Sequence, residues 1–181
     1  MQDIYVGDVG KGFPLVLVHG FLGSSIMWEP QINYLKKNYR VITLDLPGFG
    51  NSNKVQSKNN INDLAKIVLE CLREKNIDNF FLLGHSMGGK AAMQYARLYN
   101  GYELHKLLII DIAPKVYVED QSHVLYGIAE VLRSATSKKD AFAVLNNFTN
   151  DSVLSNFLLK SLSINNQGHA SFTFNFKAIK N

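Results

Sequence analysis

Cysteine is almost absent from this sequence of 181 residues, because only Cys71 is present. A single cysteine cannot form a disulfide bond within the chain, so a small disulfide-stabilised scaffold is excluded. Cys71 shares the apolar side of a helical pattern with Leu64 and Val68. That position favours a buried, inert thiol over a nucleophile.

The sequence also lacks long apolar runs and blocks of charge. No apolar run reaches the roughly 20 residues that cross a bilayer, and Met1-Gln2-Asp3-Ile4 does not resemble a signal peptide. The net charge is +4, from 19 basic and 15 acidic residues that are scattered. We therefore predict a cytoplasmic protein without a membrane or nucleic-acid partner. No metal-ligand cluster and no dinucleotide signature is evident, so we expect no cofactor.

Four continuous apolar runs of strand type alternate with helical patterns in the first part of the chain. They lie at residues 14–19, 41–45, 80–83 and 107–110, and residues 4–9 predict a further short strand. Continuous apolar runs are typical of parallel strands that are buried on both faces. The pattern predicts an α/β fold, with a mainly parallel sheet and helices on both faces.

The pattern changes after residue 115. Helical spacing of apolar residues recurs at 124–132, 141–148 and 153–162, and no further buried strand is evident. We interpret residues 1–115 as the core and residues 116–181 as a helical cap region over the functional edge of the sheet. The alternative is that these are ordinary packing helices.

The most informative motif runs from Gly84 to Gly88 and has the pattern G-x-S-x-G, with Ser86 at its centre. It follows an apolar strand and precedes a helical pattern, which is the context that a nucleophile elbow requires. The sharp turn strains the central residue, and glycines on either side avoid collisions. The N–H of Met87 would then be placed to stabilise an oxyanion.

A phosphate-binding loop is the alternative interpretation of the same stretch. Residues from Gly84 to Lys90 spell G-x-x-x-x-G-K, but the next residue is Ala91, where the motif needs Ser or Thr to bind Mg²⁺. The nucleotide-binding hypothesis therefore rests on an incomplete motif.

Three motifs, at residues 19–24, 45–52 and 84–89, together resemble the α/β-hydrolase fold family. The sequence at 111–114, with His123 before a helix, looks like the small bacterial esterases of the YbfF type and their mitochondrial relatives. The resemblance implies serine-dependent cleavage of a small-molecule ester or thioester with a short acyl group. The alternative is a non-catalytic binding or assembly module that keeps the fold.

The resemblance also implies roles for individual residues. Ser86 would be the nucleophile, and the backbone N–H groups of Phe21 and Met87 would form the oxyanion hole. Asp111 would be the triad acid, although a carboxylate at a strand end can also cap a turn. Leu22 would contact substrate.

His123 matches a cap position of the YbfF-type esterases. The resemblance implies that it contacts substrate, and the alternative is a residue on the surface of a helix.

The catalytic histidine is where the resemblance stops. The family's histidine follows the last strand, beyond the cap, and the given chain reaches only Asn181. At His19 we expect the backbone to matter more than the ring, and His85 should point away from the nucleophile. His105 lies at the wrong end of a strand, and His169 is downstream in a flexible setting but matches no triad motif.

A missing base leaves three interpretations of the chain. It is a fragment of a longer hydrolase, it pairs with a second polypeptide or with itself to complete the sheet, or it is a shortened relative without activity. In each case the sheet should present an apolar edge that needs cover.

Overall fold

The buried apolar runs of the sequence form the strands of one five-stranded sheet. This computed structural model describes residues 4–55, 60–99, 103–117 and 122–179. The sheet has the order β1-β3-β2-β4-β5, in which β1 is antiparallel to β3 and the other neighbours are parallel. The strands are β1 Val6–Val9, β2 Phe13–Val18, β3 Tyr39–Leu44, β4 Asn79–His85 and β5 Glu103–Ile110. The predicted α/β fold is confirmed.

Helices cover both faces of this sheet. A 3₁₀ turn over Ser25–Trp28 leads into α1, and Asn60 caps α2 by accepting a hydrogen bond from the Asp63 N–H at 3.0 Å. A second 3₁₀ turn covers Gly50–Ser52. The helices of this part of the chain are α1 Glu29–Leu35, α2 Ile61–Glu74 and α3 Met87–Leu98.

The two faces have separate cores because side chains alternate along each strand. On one face Leu15, Leu17 and Val41 pack with Trp28 and the partly buried residues of α1. On the other face the Phe80 ring meets Tyr95 of α3 edge-on, with 5.8 Å between ring centroids. Cys71 is buried as predicted, and burial raises the pKa of its thiol to about 12.

Strand β5 forms one edge of the sheet and carries exposed apolar side chains. Leu107, Leu108 and Ile110 are each about two fifths exposed, at 38%, 41% and 42%. An unpaired parallel edge strand with apolar side chains is a surface that proteins ordinarily cover.

Residues Met1–Lys115 and Val116–Asn181 form two compact units. The second unit packs its helices around buried side chains such as Ile128, Leu145 and Leu158. It also contains a small antiparallel hairpin, which the sequence analysis did not predict because its strands are only three residues long. Its elements are α4 Ser122–Ser134, α5 Lys138–Thr149, α6 Ser152–Lys160, β6 Leu162–Ile164, β7 Ala170–Phe172 and α7 Phe176–Ile179.

Over the described ranges, none of the helices has the combination of length and apolar character needed to cross a membrane.

The core predicts that two leucines at paired positions of β4 and β5 differ in their contribution to stability. Leu82 is fully buried, whereas its register partner Leu107 is 38% exposed. We expect Leu82→Ala to lower the free energy of unfolding by about 3 kcal/mol and Leu107→Ala by less than about 1 kcal/mol. Urea unfolding of both variants checks this, and equal losses would contradict the assigned burial.

Candidate active site

Ser86 occupies the junction between a strand and a helix. Strand β4 ends at His85 and α3 begins at Met87, so the chain reverses within a single residue. Ser86 has φ 50° and ψ −117°, a backbone conformation that is strained for a residue with a side chain. Its N–H donates to the carbonyl oxygen of Ile110 at 3.0 Å, which ties the junction to the end of β5.

Two glycines permit this junction by letting backbones approach closely. A Cβ on Gly84 would collide with the carbonyl of Gly88. A Cβ on Gly88 would in turn collide with the carbonyl oxygens of Val18 and His19, at the end of β2.

The turn after β2 lies beside Ser86. The Gly23 N–H donates to the Gly20 carbonyl at 3.1 Å, and Leu22 adopts φ 59° at the third position of this turn. A Cβ on Gly20 would lie 3.2 Å from the Cβ of Ser86. The ring of Phe21 packs edge-on to Phe49, with centroids 6.0 Å apart.

The predicted oxyanion residues therefore flank the serine from two elements. Phe21 follows Gly20 in the adjacent turn, and Met87 opens α3, whose first N–H groups have no acceptor within the helix. Leu22 is only 3% exposed, so its side chain packs inside the first unit.

The ring of His19 links two loops, a structural role that adds to the importance expected of its backbone. The Leu46 N–H donates to Nε2 at 2.9 Å, so Nδ1 carries the proton and donates to the Gly20 carbonyl at 2.8 Å. The ring is fully buried, and burial lowers the pKa of His19 although the Gly20 carbonyl and Asp45 act to raise it. His19 is a neutral structural bridge.

Asp45 is a second fully buried polar residue at this edge. Its Oδ1 accepts a hydrogen bond from the Ser25 N–H at 2.5 Å, and its Oδ2 accepts one from the Asn51 N–H at 2.8 Å. Backbone donors offset the cost of burying a carboxylate. Asp45 therefore fixes the loops after β2 and β3. In the sequence, the one indication of this role is that Asp45 directly follows a strand.

Asp111 follows β5 and lies one residue beyond Ile110, whose carbonyl holds Ser86. It adopts φ 55°, and its side chain is 83% exposed. Its Oδ2 is 3.7 Å from Nε2 of His85. The structure therefore brings the predicted nucleophile and the predicted acid to adjacent strand ends.

The remaining histidines lie elsewhere. His105 bonds to Asn79 at 3.0 Å, at the amino end of β4 and thus at the opposite end of the sheet from Ser86. In the second unit, His123 is exposed in the first turn of α4 and His169 lies in the β6–β7 connection. Within the first unit, none of the described histidines hydrogen-bonds to the Ser86 hydroxyl.

Among the described residues, there is no group of three or more His, Cys, Asp or Glu side chains that could hold a metal ion.

Comparison with known proteins places the whole pattern in context. The profile of the "alpha/beta hydrolase fold" family matches residues 14–142. Esterase YbfF of Escherichia coli (strain K12) is 33% identical over 150 residues, which are 82% of this chain and 58% of that protein. The (E)-2-((N-methylformamido)methylene)succinate hydrolase of Acinetobacter baylyi is 42% identical over 81 residues, which are 45% of this chain and 31% of that protein.

Solved structures show the same fold. A marine microorganism esterase superposes with a TM-score of 0.87 at 24% identity, covering 99% of this chain and 71% of that one. The match to each of the two curated relatives described above spans less than three fifths of that relative's length.

The buried neutral state of His19 predicts a pH dependence of stability. In the unfolded chain this histidine takes up a proton below its ordinary pKa of about 6.5, whereas the folded state resists protonation. We expect the free energy of unfolding to fall as the pH drops below that value, by at most about 1.4 kcal/mol per pH unit from this group. His19→Gln should remove this contribution.

Chemical denaturation of wild type and His19→Gln between pH 7.5 and 5 measures the effect. Wild type should be the more stable protein at pH 7.5, and the difference should narrow as the pH falls. A difference that is constant with pH would contradict the buried neutral ring.

Proposed function

Because the chain belongs to the α/β-hydrolase fold family, we propose that it carries the acylation machinery of a serine hydrolase. The substrate is an ester or thioester with a short acyl group, and the reaction passes through an acyl-serine intermediate. The observation that supports this most strongly is the strained backbone of Ser86, held between β4 and α3 at the carboxyl edge of the sheet. Strain of this kind is retained where function requires it.

The reaction would use the residues that the junction gathers. The Ser86 oxygen attacks the substrate carbonyl carbon as its proton passes to a general base, and the backbone N–H groups of Met87 and Phe21 stabilise the oxyanion. Collapse of this intermediate expels the alcohol or thiol, which takes up the proton. Water, deprotonated by the same base, then attacks the acyl-serine, so that the carboxylic acid product leaves and Ser86 regains its proton. Asp111 orients the base.

The ester substrate is inferred from the relatives. Esterase YbfF and the pimeloyl-[acyl-carrier protein] methyl ester esterase of Legionella pneumophila are named for ester cleavage. We extend that chemistry, and no more specific substrate, to this chain. The relatives are longer than the region that this chain matches. The general base would come from polypeptide that corresponds to their unmatched region.

The second unit, residues 116–181, would act as a cap that selects the substrate. His123 remains our predicted contact there, and its exposure on α4 is compatible with that role. Leu22 also stays a predicted contact, and its side chain is buried in the first unit.

A non-catalytic binding or assembly module is the second candidate. It is favoured by one observation, that no histidine of the first unit, among the described residues, bonds to the Ser86 hydroxyl. Such a module would keep its role when Ser86 is replaced.

We infer further that polypeptide from a second copy or another chain covers β5. The exposed side chains of Leu107, Leu108 and Ile110 would then become buried, and the unpaired backbone of this strand would gain hydrogen bonds.

The enzyme hypothesis predicts that, in protein that includes the polypeptide supplying the base, Ser86 reacts with a fluorophosphonate and short-chain nitrophenyl esters are hydrolysed. Ser86→Ala should abolish labelling and lower turnover by at least about a thousandfold, because the nucleophile is lost. Ser163→Ala, which changes an exposed serine of β6, is the matched control and should behave as wild type. Equal rates for wild type and Ser86→Ala would favour the non-catalytic module.

The covered-edge hypothesis predicts slow amide exchange in β5 when the partner is present. In the isolated chain the outer amides of β5 should exchange quickly, since an edge strand leaves half of its donors unpaired. Sedimentation of wild type and Leu108→Lys distinguishes self-association, which the lysine should abolish, from binding of another chain. Slow exchange in a monomer would contradict an open edge.

A further inference from the structure

His85 is a partly buried polar residue at the candidate site, with a side chain that is 26% exposed, and the proposed reaction gives it no role. It ends β4, and its ring meets Trp28 edge-on with 6.5 Å between centroids. A Cβ on Gly20 would lie 2.7 Å from its Nδ1 and 3.2 Å from the Cβ of Ser86. The ring therefore lies between the turn that follows β2 and the end of β5.

The two ring nitrogens have different surroundings. Nδ1 is buried and has no hydrogen-bond partner among the described residues, whereas Nε2 is 3.7 Å from Oδ2 of Asp111. A proton on Nδ1 would bury an unpaired donor, which is rarer and more costly than an unpaired acceptor. It would also turn the lone pair of Nε2 towards a carboxylate. The neutral ring should therefore carry its proton on Nε2.

Asp111 needs such a partner if it is to act on a base. Its side chain is 83% exposed and its backbone has φ 55°, so packing restricts its carboxylate little. Among the described residues, the Lys, Arg or His side chain that comes within 4 Å of the Asp111 carboxylate is that of His85. The distance of 3.7 Å exceeds a hydrogen bond, and a small rotation of the carboxylate would close it.

We propose that His85 is a positioning residue, which donates from Nε2 to one oxygen of the Asp111 carboxylate and leaves the other oxygen free to orient the base. An exposed pair of this kind contributes little to stability. Its effect is to reduce the number of carboxylate orientations. The kinetic consequence rests on the proposed function, in which Asp111 is the acid, whereas the contact itself does not.

The contact can be tested without activity. Imidazole ¹⁵N spectra of the ¹⁵N-histidine-labelled protein, with His85→Gln used to assign the signals, should show Nε2 protonated and Nδ1 unprotonated. Asp111→Asn should shift the Nε2 signal, whereas Asp78→Asn, a control at an exposed residue just before β4, should not. A proton on Nδ1, or a spectrum unchanged by Asp111→Asn, would overturn the proposal.

The role is tested, in protein that includes the polypeptide supplying the base, by the rate at which a fluorophosphonate labels Ser86. We expect His85→Leu to slow labelling about tenfold, His85→Gln to recover most of that loss, and neither change to matter in an Asp111→Asn background. An equal loss from His85→Leu with and without Asp111 would overturn the positioning role. If wild type labels no faster than Ser86→Ala, the proposed function fails, and the spectra still decide the contact.

Discussion

The close crossing of three backbone segments at the carboxyl edge of the sheet is the constraint on which the candidate site depends. The end of β2, the end of β4 and the first turn of α3 touch through Gly84 and Gly88, where a methyl group would strike a carbonyl oxygen. This contact leaves one sharp reversal as the path from strand to helix. It holds Ser86 in a conformation that the residue would not adopt alone.

Buried polar residues keep the neighbouring loops in register with this crossing. His19 and Asp45 are fully buried, and each joins segments that are distant in the chain through hydrogen bonds to backbone N–H or carbonyl groups. A buried polar group destabilises the fold unless its hydrogen-bond partners are present. We therefore expect the loops that supply these partners to order or disorder as one unit. The turn at residues 20–23 is thereby fixed beside the serine before any substrate arrives.

The opposite side of the site is open by comparison. Asp111 presents an exposed carboxylate, and β5 presents exposed apolar side chains. The chain thus combines a rigid arrangement around Ser86, the proposed nucleophile, with a proposed acid, Asp111, whose orientation depends on few contacts. This asymmetry explains why His85, at the boundary between the two sides, is the residue through which the acid would be held.

The amino-acid sequence by itself determined the elements whose signals are local: the continuous apolar strands, the amphipathic α2, and the strand–serine–helix junction around Ser86. Such features follow from spacing and from steric rules within a few residues. Only the tertiary structure decided that the His19 ring bridges two loops, that Gly88 faces the end of β2, and that residues 162–172 form a hairpin. The first two contacts join residues far apart in sequence, which local periodicity cannot predict. The hairpin strands are only three residues long, which is too short to show an alternating pattern.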